Sequence, residues 1–438
     1  MTRLPEPAPT AELLAERYAA VRGATEDLCR PLEVEDYVIQ SMPDASPAKW
    51  HLAHTTWFFE TFILARRCGY ESPEPAFHLL FNSYYNSLGA QHSRPDRGKL
   101  SRPTVAQVYE YRRRVDDAVL AEIRGLGGDA GELLPLLELG LHHEQQHQEL
   151  ILTDVKHMLA QNPLSPVYAR APETPEPSQT EGRWLHIDEG LYEIGRDDRR
   201  AGAAGFSFDN EGPRHRVFLE AFELRSRLVT GGDLLEFIAD GGYREPSLWL
   251  SDGWATAQRE GWRAPLYWHP EDDGSWSQFT LAGKRPVAPT EPVCHLSFFE
   301  ADAFARWAGA RLPSEAEWEV AAQQALPSEA FERARGRANL AATGRFHPRP
   351  LARGTEDDLQ LLGDVWEWTR SAYAPYPGFT PPDGALGEYN AKFMNNQTVL
   401  RGGSCATPAS HIRLSYRNFF PSHARWQWSG LRLAKDAG

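Results

Sequence analysis

The chain has only four cysteines in 438 residues, Cys29, Cys68, Cys294 and Cys405, and no two of them form a C-x-x-C pair. That scarcity argues against a disulfide framework or a zinc–thiolate cluster and fits reduced thiols in a cytoplasmic protein. No run of 18 apolar residues occurs, so no membrane-spanning helix is expected. The opening MTRLPEPAPTAELL lacks the apolar segment of a signal peptide. Basic charge is short as well: 46 Lys and Arg against 60 Asp and Glu give a net charge of −14. No general nucleic-acid or membrane partner is expected of such a surface. What remains is an ordinary globular composition, 41% apolar and 24% charged, in a chain long enough for two or three cores.

Of the 14 tryptophans, only Trp50 and Trp57 precede residue 180, so the two halves differ in texture. Residues 10–32, 47–67, 104–124 and 132–161 read as four helices, and four helices of this length suggest a bundle. The long connection 68–103 holds FNSYYNSLG (81–89) and HSRPDRGK (92–99); loops of that length inside a compact domain are usually functional. Residues 162–182 are dense in Pro, Ser and Glu. The expected division is a helical domain over 1–164, a Pro-rich linker over 165–184 and an irregular α+β domain over 185–438. The second domain reads as short strands with two short helices, which makes the whole chain a two-domain α+β protein.

The stretch LHHEQQHQEL (141–150) contains H-E-x-x-H. On a helix, His143 and His147 lie one turn apart on one face, so both imidazoles can meet one metal. His142 lies about 100° from His143, Glu149 roughly 200° from His147, and Gln146 about 60° from His143, at the edge of the metal face. A third ligand is needed, and WHLAHTTWFFE (50–60) offers His51 and His54. Three neutral imidazoles suit Fe(II), Zn(II) or Cu(II). A metalloprotease is not expected. Leu150 and Thr153 stand where the extended protease motif requires Gly and His, and a later third-ligand carboxylate would fall at Glu173 or Glu176 in the linker.

With these residues the chain resembles the ergothioneine-biosynthesis sulfoxide synthases. PDASPAKWHLAHTTWFFE, FNSYYNSLG, RPDRGKLSRPT and HHEQQHQE are similar to the family's DinB-like four-helix bundle. DNEGPRHRVFLEAFEL (209–224), RLPSEAEWEVAA (311–322), GDVWEWT (363–369) and VLRGGSC (399–405) resemble the formylglycine-generating-enzyme fold, a C-type-lectin-like architecture. The resemblance implies a mononuclear non-haem Fe(II) held by His54, His143 and His147. It also implies oxygen-dependent C–S bond formation between a thiol and the imidazole of hercynine (Nα-trimethylhistidine), giving a sulfoxide.

It implies site tyrosines too, carried over here to Tyr84 and Tyr85. A phenol there can pass a proton to oxygen as it is reduced, with Tyr85 preferred. Arg94 and Arg97 are expected to clamp the thiol substrate's carboxylate. Asp44 either holds its ammonium or caps the ligand helix. The Gln146 amide can reach a substrate beside the metal. Asn418, Phe419 and Phe420 align with a segment facing the betaine, whose trimethylammonium needs aromatic faces. The Trp-Glu-Trp of 363–369 reads as structural.

Formylglycine-generating oxidases use a cysteine pair in their C-terminal core; here that region holds only Cys405, with Cys294 far away. The reading is therefore a cytoplasmic iron enzyme whose small-molecule partners are hercynine, cysteine and O₂. The tyrosine and arginine pairs resemble the branch that uses free cysteine. The alternatives are a related synthase using γ-glutamylcysteine, a selenosugar or histidine; a DinB-like thiol transferase; and a non-catalytic lectin-like binding protein.

Overall fold

A computed structural model of the protein describes residues 11–125, 133–173, 177, 182–196, 205–352 and 359–437. Residues 174–176 and 178–181 of the expected linker, and Glu176 with them, lie outside that set. The chain forms two compact units. The first contains Met1–Pro163 together with two segments from far along the chain, Arg200–Phe208 and Pro381–Tyr389; the second contains the rest.

The first unit is built from α1 (Ala11–Cys29), α2 (Ala48–Phe62), the short α3 (Phe77–Phe81), α4 (Val105–Gly125) and α5 (Leu133–Ala160). In α1 the buried residues Leu14, Tyr18, Val21, Thr25 and Cys29 recur every three or four positions, the period of one helix face. Helix α4 repeats this with Val108, Tyr111, Val115, Val119 and Ile123. Helix α2 is instead buried nearly all round, because it packs against both α4 and α5. Gly140 permits α2 and α5 to approach there, since a Cβ would stand 2.5 Å from the Phe59 ring. Connection 68–103 winds through α3 and two 3₁₀ turns, Asn86–Leu88 and Arg94–Lys99.

The bundle core is not wholly apolar. Glu144 on α5 is fully buried and accepts from Arg22 Nη1 at 2.6 Å, Arg112 Nη2 at 2.5 Å and Thr25 Oγ1 at 2.6 Å. Arg22 Nε also donates to Asp116 (2.7 Å), and Arg112 Nε to Glu26 (3.0 Å). Buried guanidinium and carboxylate groups thus tie α1, α4 and α5 at one point, each charge answered by another.

The second unit combines small sheets with helices. One sheet orders Trp184–Ile187, Phe222–Arg225 and Ala434–Asp436, all antiparallel, so its first and last strands share a neighbour. A four-stranded sheet orders Asn418–Phe420, Thr398–Arg401, Trp366–Ala372 and Ser429–Gly430. Gly190–Ile194 pairs with His215–Leu219, and Trp268–Pro270, Trp276–Thr280 and Gly283–Pro286 form a meander.

Two helices were expected; the described residues hold five: α6 (Gly231–Ala239), α7 (Ser251–Glu260), α8 (Phe298–Trp307), α9 (Glu315–Ala325) and α10 (Ser328–Arg337). Three of them open with a capping box, at Thr230/Asp233, Ser297/Glu300 and Ser314/Glu317. Those short S/T-x-x-D/E starts are legible in sequence and outweigh the Gly-rich, loop-like texture around them. Trp366 and Trp368 are core residues, and the intervening Glu367 pairs with Arg432 at 2.8 Å and accepts from Trp318 Nε1 at 3.0 Å.

Candidate metal centre

Three imidazoles converge in the first unit. His54 projects from α2, and His143 and His147 from successive turns of α5; one ligand atom from each lies within 4.8 Å of the others. His54 Nε2 and His143 Nε2 are 3.2 Å apart. Ring centroids lie 4.6 Å apart for His143–His147 and 4.7 Å for His54–His147. All three are buried.

Burial pushes His143 down to about 3, although the neighbouring Glu144 carboxylate pulls the other way. Burial, and the repulsion that a second proton would meet beside His143, hold His54 and His147 well below the usual imidazole range. At neutral pH the three rings are therefore uncharged and present lone pairs. His54 Nδ1 donates to the Phe81 carbonyl at 2.6 Å, which leaves its Nε2 for the centre. A neutral three-nitrogen face without thiolate suits a divalent first-row transition metal. Among the described residues, this is the group able to hold one.

His51, the other candidate ligand, is not in the converging group. It contacts His147 from outside, with the two Nδ1 atoms 2.8 Å apart. Glu144, which the H-E-x-x-H spelling would make a general base, points into the arginine network. His142 stacks on Phe206, with ring centroids 4.0 Å apart.

The loop after α3 brings up the tyrosines. Asn82 pins Tyr85 by donating to its carbonyl and accepting from its amide, both at 3.0 Å. The rings of Tyr84 and Tyr85 stack with centroids 4.6 Å apart, so these adjacent residues share a direction instead of diverging. Tyr85 is wholly buried, and its ring also packs against Trp57 and Phe62. Burial, reinforced by Tyr84, raises its pKa well above the usual phenol value, so the proton stays on the ring oxygen.

Arg97 is 4% exposed and has no ion pair among the described residues. It stacks over Trp50 (3.4 Å to the ring centroid) and donates to Ser46 Oγ (2.9 Å) and Ser83 Oγ (3.1 Å), while its Nε has no partner. Arg94 is exposed and donates to the Asp44 carbonyl. Asp44 does not cap the ligand helix: the N-cap of α2 is Pro47, with no side-chain cap.

One residue at this centre escaped sequence reasoning. Tyr389 stands 5.7 Å from the His143 ring and 6.4 Å from Tyr84, stacks on Phe208, and donates its hydroxyl to Gln146 Oε1. Its neighbour Glu388 accepts from Asn86 N (3.0 Å), Ser87 N (2.9 Å) and Ser87 Oγ (2.6 Å), bracing the turn that follows the tyrosine pair. Gln146 and Tyr389 are 243 positions apart, and nothing in GALGEYN marks that pairing.

Residues 17–151 match the DinB superfamily and residues 170–437 the sulfatase-modifying factor enzyme 1-like domain. The chain is 34% identical to hercynine oxygenase of Mycolicibacterium smegmatis over 97% of its own length and 99% of that protein. It is 32% identical to hercynine oxygenase of Mycobacterium tuberculosis, again over 97% and 99%. The chain belongs to the hercynine oxygenase family. A further relative, ergothioneine biosynthesis protein 1 of Schizosaccharomyces pombe, is 27% identical over 53% of this chain and 28% of that protein.

In this oxygenase the remaining candidate residues lie in the second unit. Asn418, Phe419 and Phe420 form a half-buried edge strand paired with Thr398–Leu400. Phe419 stacks on Tyr373 at 4.0 Å, and Asn418 Oδ1 accepts the Phe419 amide at 2.9 Å. All four cysteines are free thiols, with Cys294 and Cys405 buried.

Proposed function

We propose that the protein is a non-haem iron(II), O₂-dependent sulfoxide synthase that joins the sulfur of free cysteine to the imidazole of hercynine, in ergothioneine biosynthesis in the cytoplasm. The observation that carries this reading is the buried, uncharged His54–His143–His147 triad in a chain of this family. The absence of a helix long and apolar enough to cross a membrane, among the described residues, is compatible with it.

The reaction balances with one O₂. The imidazole C–H and cysteine S–H bonds break, the C–S and S–O bonds form, and the four electrons released reduce O₂ to the sulfoxide oxygen and one water. Bound iron(II) supplies the redox chemistry by which O₂ is activated. The protein's side chains do the rest. Arg97 receives the cysteine carboxylate, since a buried guanidinium that makes no ion pair among the described residues gains most from an anion. Arg94 assists at the rim, and the exposed Asp44 receives the ammonium. The hydrogen-bonded Gln146 and Tyr389 orient the acceptor imidazole. The family resemblance assigns Asn418, Phe419 and Phe420 to the betaine, whose trimethylammonium needs aromatic faces. The protonated hydroxyl of Tyr85, backed by Tyr84, supplies a proton as oxygen is reduced.

The test is one anaerobic loading with Fe(II), followed by hercynine, cysteine and air. A product mass of hercynine plus cysteine plus oxygen less two hydrogens is expected. Oxygen consumption giving only oxidised cysteine would remove hercynine as acceptor, and product only with γ-glutamylcysteine or a selenosugar would replace the donor. In the same reaction Tyr85→Phe is expected to raise the ratio of cysteine sulfinic acid to sulfoxide; an unchanged ratio, in it and in Tyr84→Phe, takes the phenols out of the chemistry. Arg97→Ala is expected to raise the cysteine KM by about 10–100-fold, the value of one or two charge-assisted hydrogen bonds, with little change in the hercynine KM. Equal effects on both substrates would mean that Arg97 is not the carboxylate clamp.

A further inference from the structure

His51 is buried on α2, one turn before His54, and both its ring nitrogens are engaged. Its Nε2 lies 3.0 Å from Asp154 Oδ2, and its Nδ1 lies 2.8 Å from Nδ1 of His147. Asp154 is also buried, two turns beyond His147 on α5 and so on the same face. The same Asp154 oxygen accepts the Ser46 amide at 2.8 Å, which anchors it to the turn before α2. Asp154, His51 and His147 thus form a continuous chain across the α2–α5 contact.

Polarity along that chain has one solution for a neutral His51. A carboxylate oxygen only accepts, so His51 carries its proton on Nε2. His51 Nδ1 is then a lone pair, and at 2.8 Å it must accept from His147 Nδ1–H. His147 is therefore held as the Nδ1–H tautomer, with the Nε2 lone pair left for the centre. His54 reaches the same tautomer by donating Nδ1–H to the Phe81 carbonyl. For His143 no such partner exists among the described residues: its Nδ1 is buried and unpaired. Orientation of the pair on α5 therefore depends on the support given to His147.

We infer that His51 and Asp154 are positioning residues for the metal centre, fixing the tautomer and direction of His147 so that Nε2 faces the cation. Neither is a ligand: His51 has no nitrogen left, and Asp154 acts through it. The inference rests on the reading of His54, His143 and His147 as a metal site. Supporting partners of this kind raise the basicity of a ligating imidazole and hold its ring plane.

The test uses the full-length protein with Fe(II), and separately with Co(II), whose visible spectrum reports ligand geometry. His51→Leu keeps apolar volume and removes both hydrogen bonds. Its metal dissociation constant, read by competition with a chromophoric chelator, is expected to rise by about 10–100-fold. Asp154→Asn keeps an accepting oxygen without the charge, so a smaller rise of several-fold is expected. The Co(II) bands of both variants are expected to shift, and the affinity loss is expected to persist where the metal-free variant unfolds at the parent's denaturant midpoint. Should His51→Leu not fold, Asp154→Asn carries the test. Affinities within twofold of the parent and unmoved Co(II) bands in the folded variants would overturn the inference and leave the metal site standing. A parent protein that takes up neither metal would overturn the metal reading itself.

Discussion

Replacing His54, His143 or His147 with alanine is expected to abolish stoichiometric iron binding and, with it, formation of the sulfoxide. Each imidazole is one third of the donor set, and no other His, Cys, Asp or Glu among the described residues joins the group. The loss should exceed the ~10–100-fold cost of removing a supporting partner, because a two-nitrogen remnant no longer defines a face. Iron content after desalting and product mass together check this. The folded state should tolerate the change, since the three rings are uncharged and already costly to bury. A His54→Ala protein that retained a full equivalent of iron would assign the third ligand elsewhere. His51 could not substitute without giving up Asp154 or His147.

The second large effect concerns stability. Arg112→Ala is expected to destabilise the first unit by about 3–5 kcal/mol, the cost of leaving one side of a buried ion network unanswered. Glu144→Ala, which removes the buried carboxylate shared by two guanidinium groups, should fall in the same range. Denaturant midpoints of the metal-free proteins check both. If Glu144→Gln instead folded normally and lost only turnover, the carboxylate would belong to the chemistry and the structural account would fail. The pH dependence has a definite sign. Burial alone would raise the Glu144 carboxyl, but Arg112 and Arg22 pull it down to about 2 from 4.5. A carboxyl lowered on folding stabilises the protein fully above its unfolded value. That contribution is therefore intact above about pH 4.5 and is lost as pH falls toward 2. In the double variant Arg112→Leu/Glu144→Leu, which removes this carboxyl, that part of the acid limb should flatten.

Both predictions meet in the five residues His143–His147 of α5, and they show how differently adjacent letters are read. H-E-x-x-H places His143 and His147 on one face through helical geometry alone, so that pair was visible without coordinates. The same geometry turns Glu144 about 100° away, but only the arrival of Arg22 and Arg112 from α1 and α4 says what it meets there. Similarly, the aromatic segment 50–60 announces a buried helix carrying two histidines. Choosing between His51 and His54 depends on the rotation of α2 against α5, which no local pattern encodes.

The sequence by itself determined the elements and the division of labour. Apolar residues every three or four positions specify α1 and α4, S/T-x-x-D/E starts specify three helices of the second unit, and the scarcity of cysteine removed disulfide and thiolate chemistry. Local periodicity and capping depend on residues a few positions apart, so they can be read directly. The family resemblance had assigned the three imidazoles, but only the tertiary structure decided that they converge, that Arg97 is buried beside Trp50 with no ion pair among the described residues, and that Pro381–Tyr389 joins the first unit. Tyr389 reaches Gln146 across 243 positions. Contacts of that kind arise when packing closes long loops, and the energy that selects them comes from burying groups together, which a linear pattern does not carry.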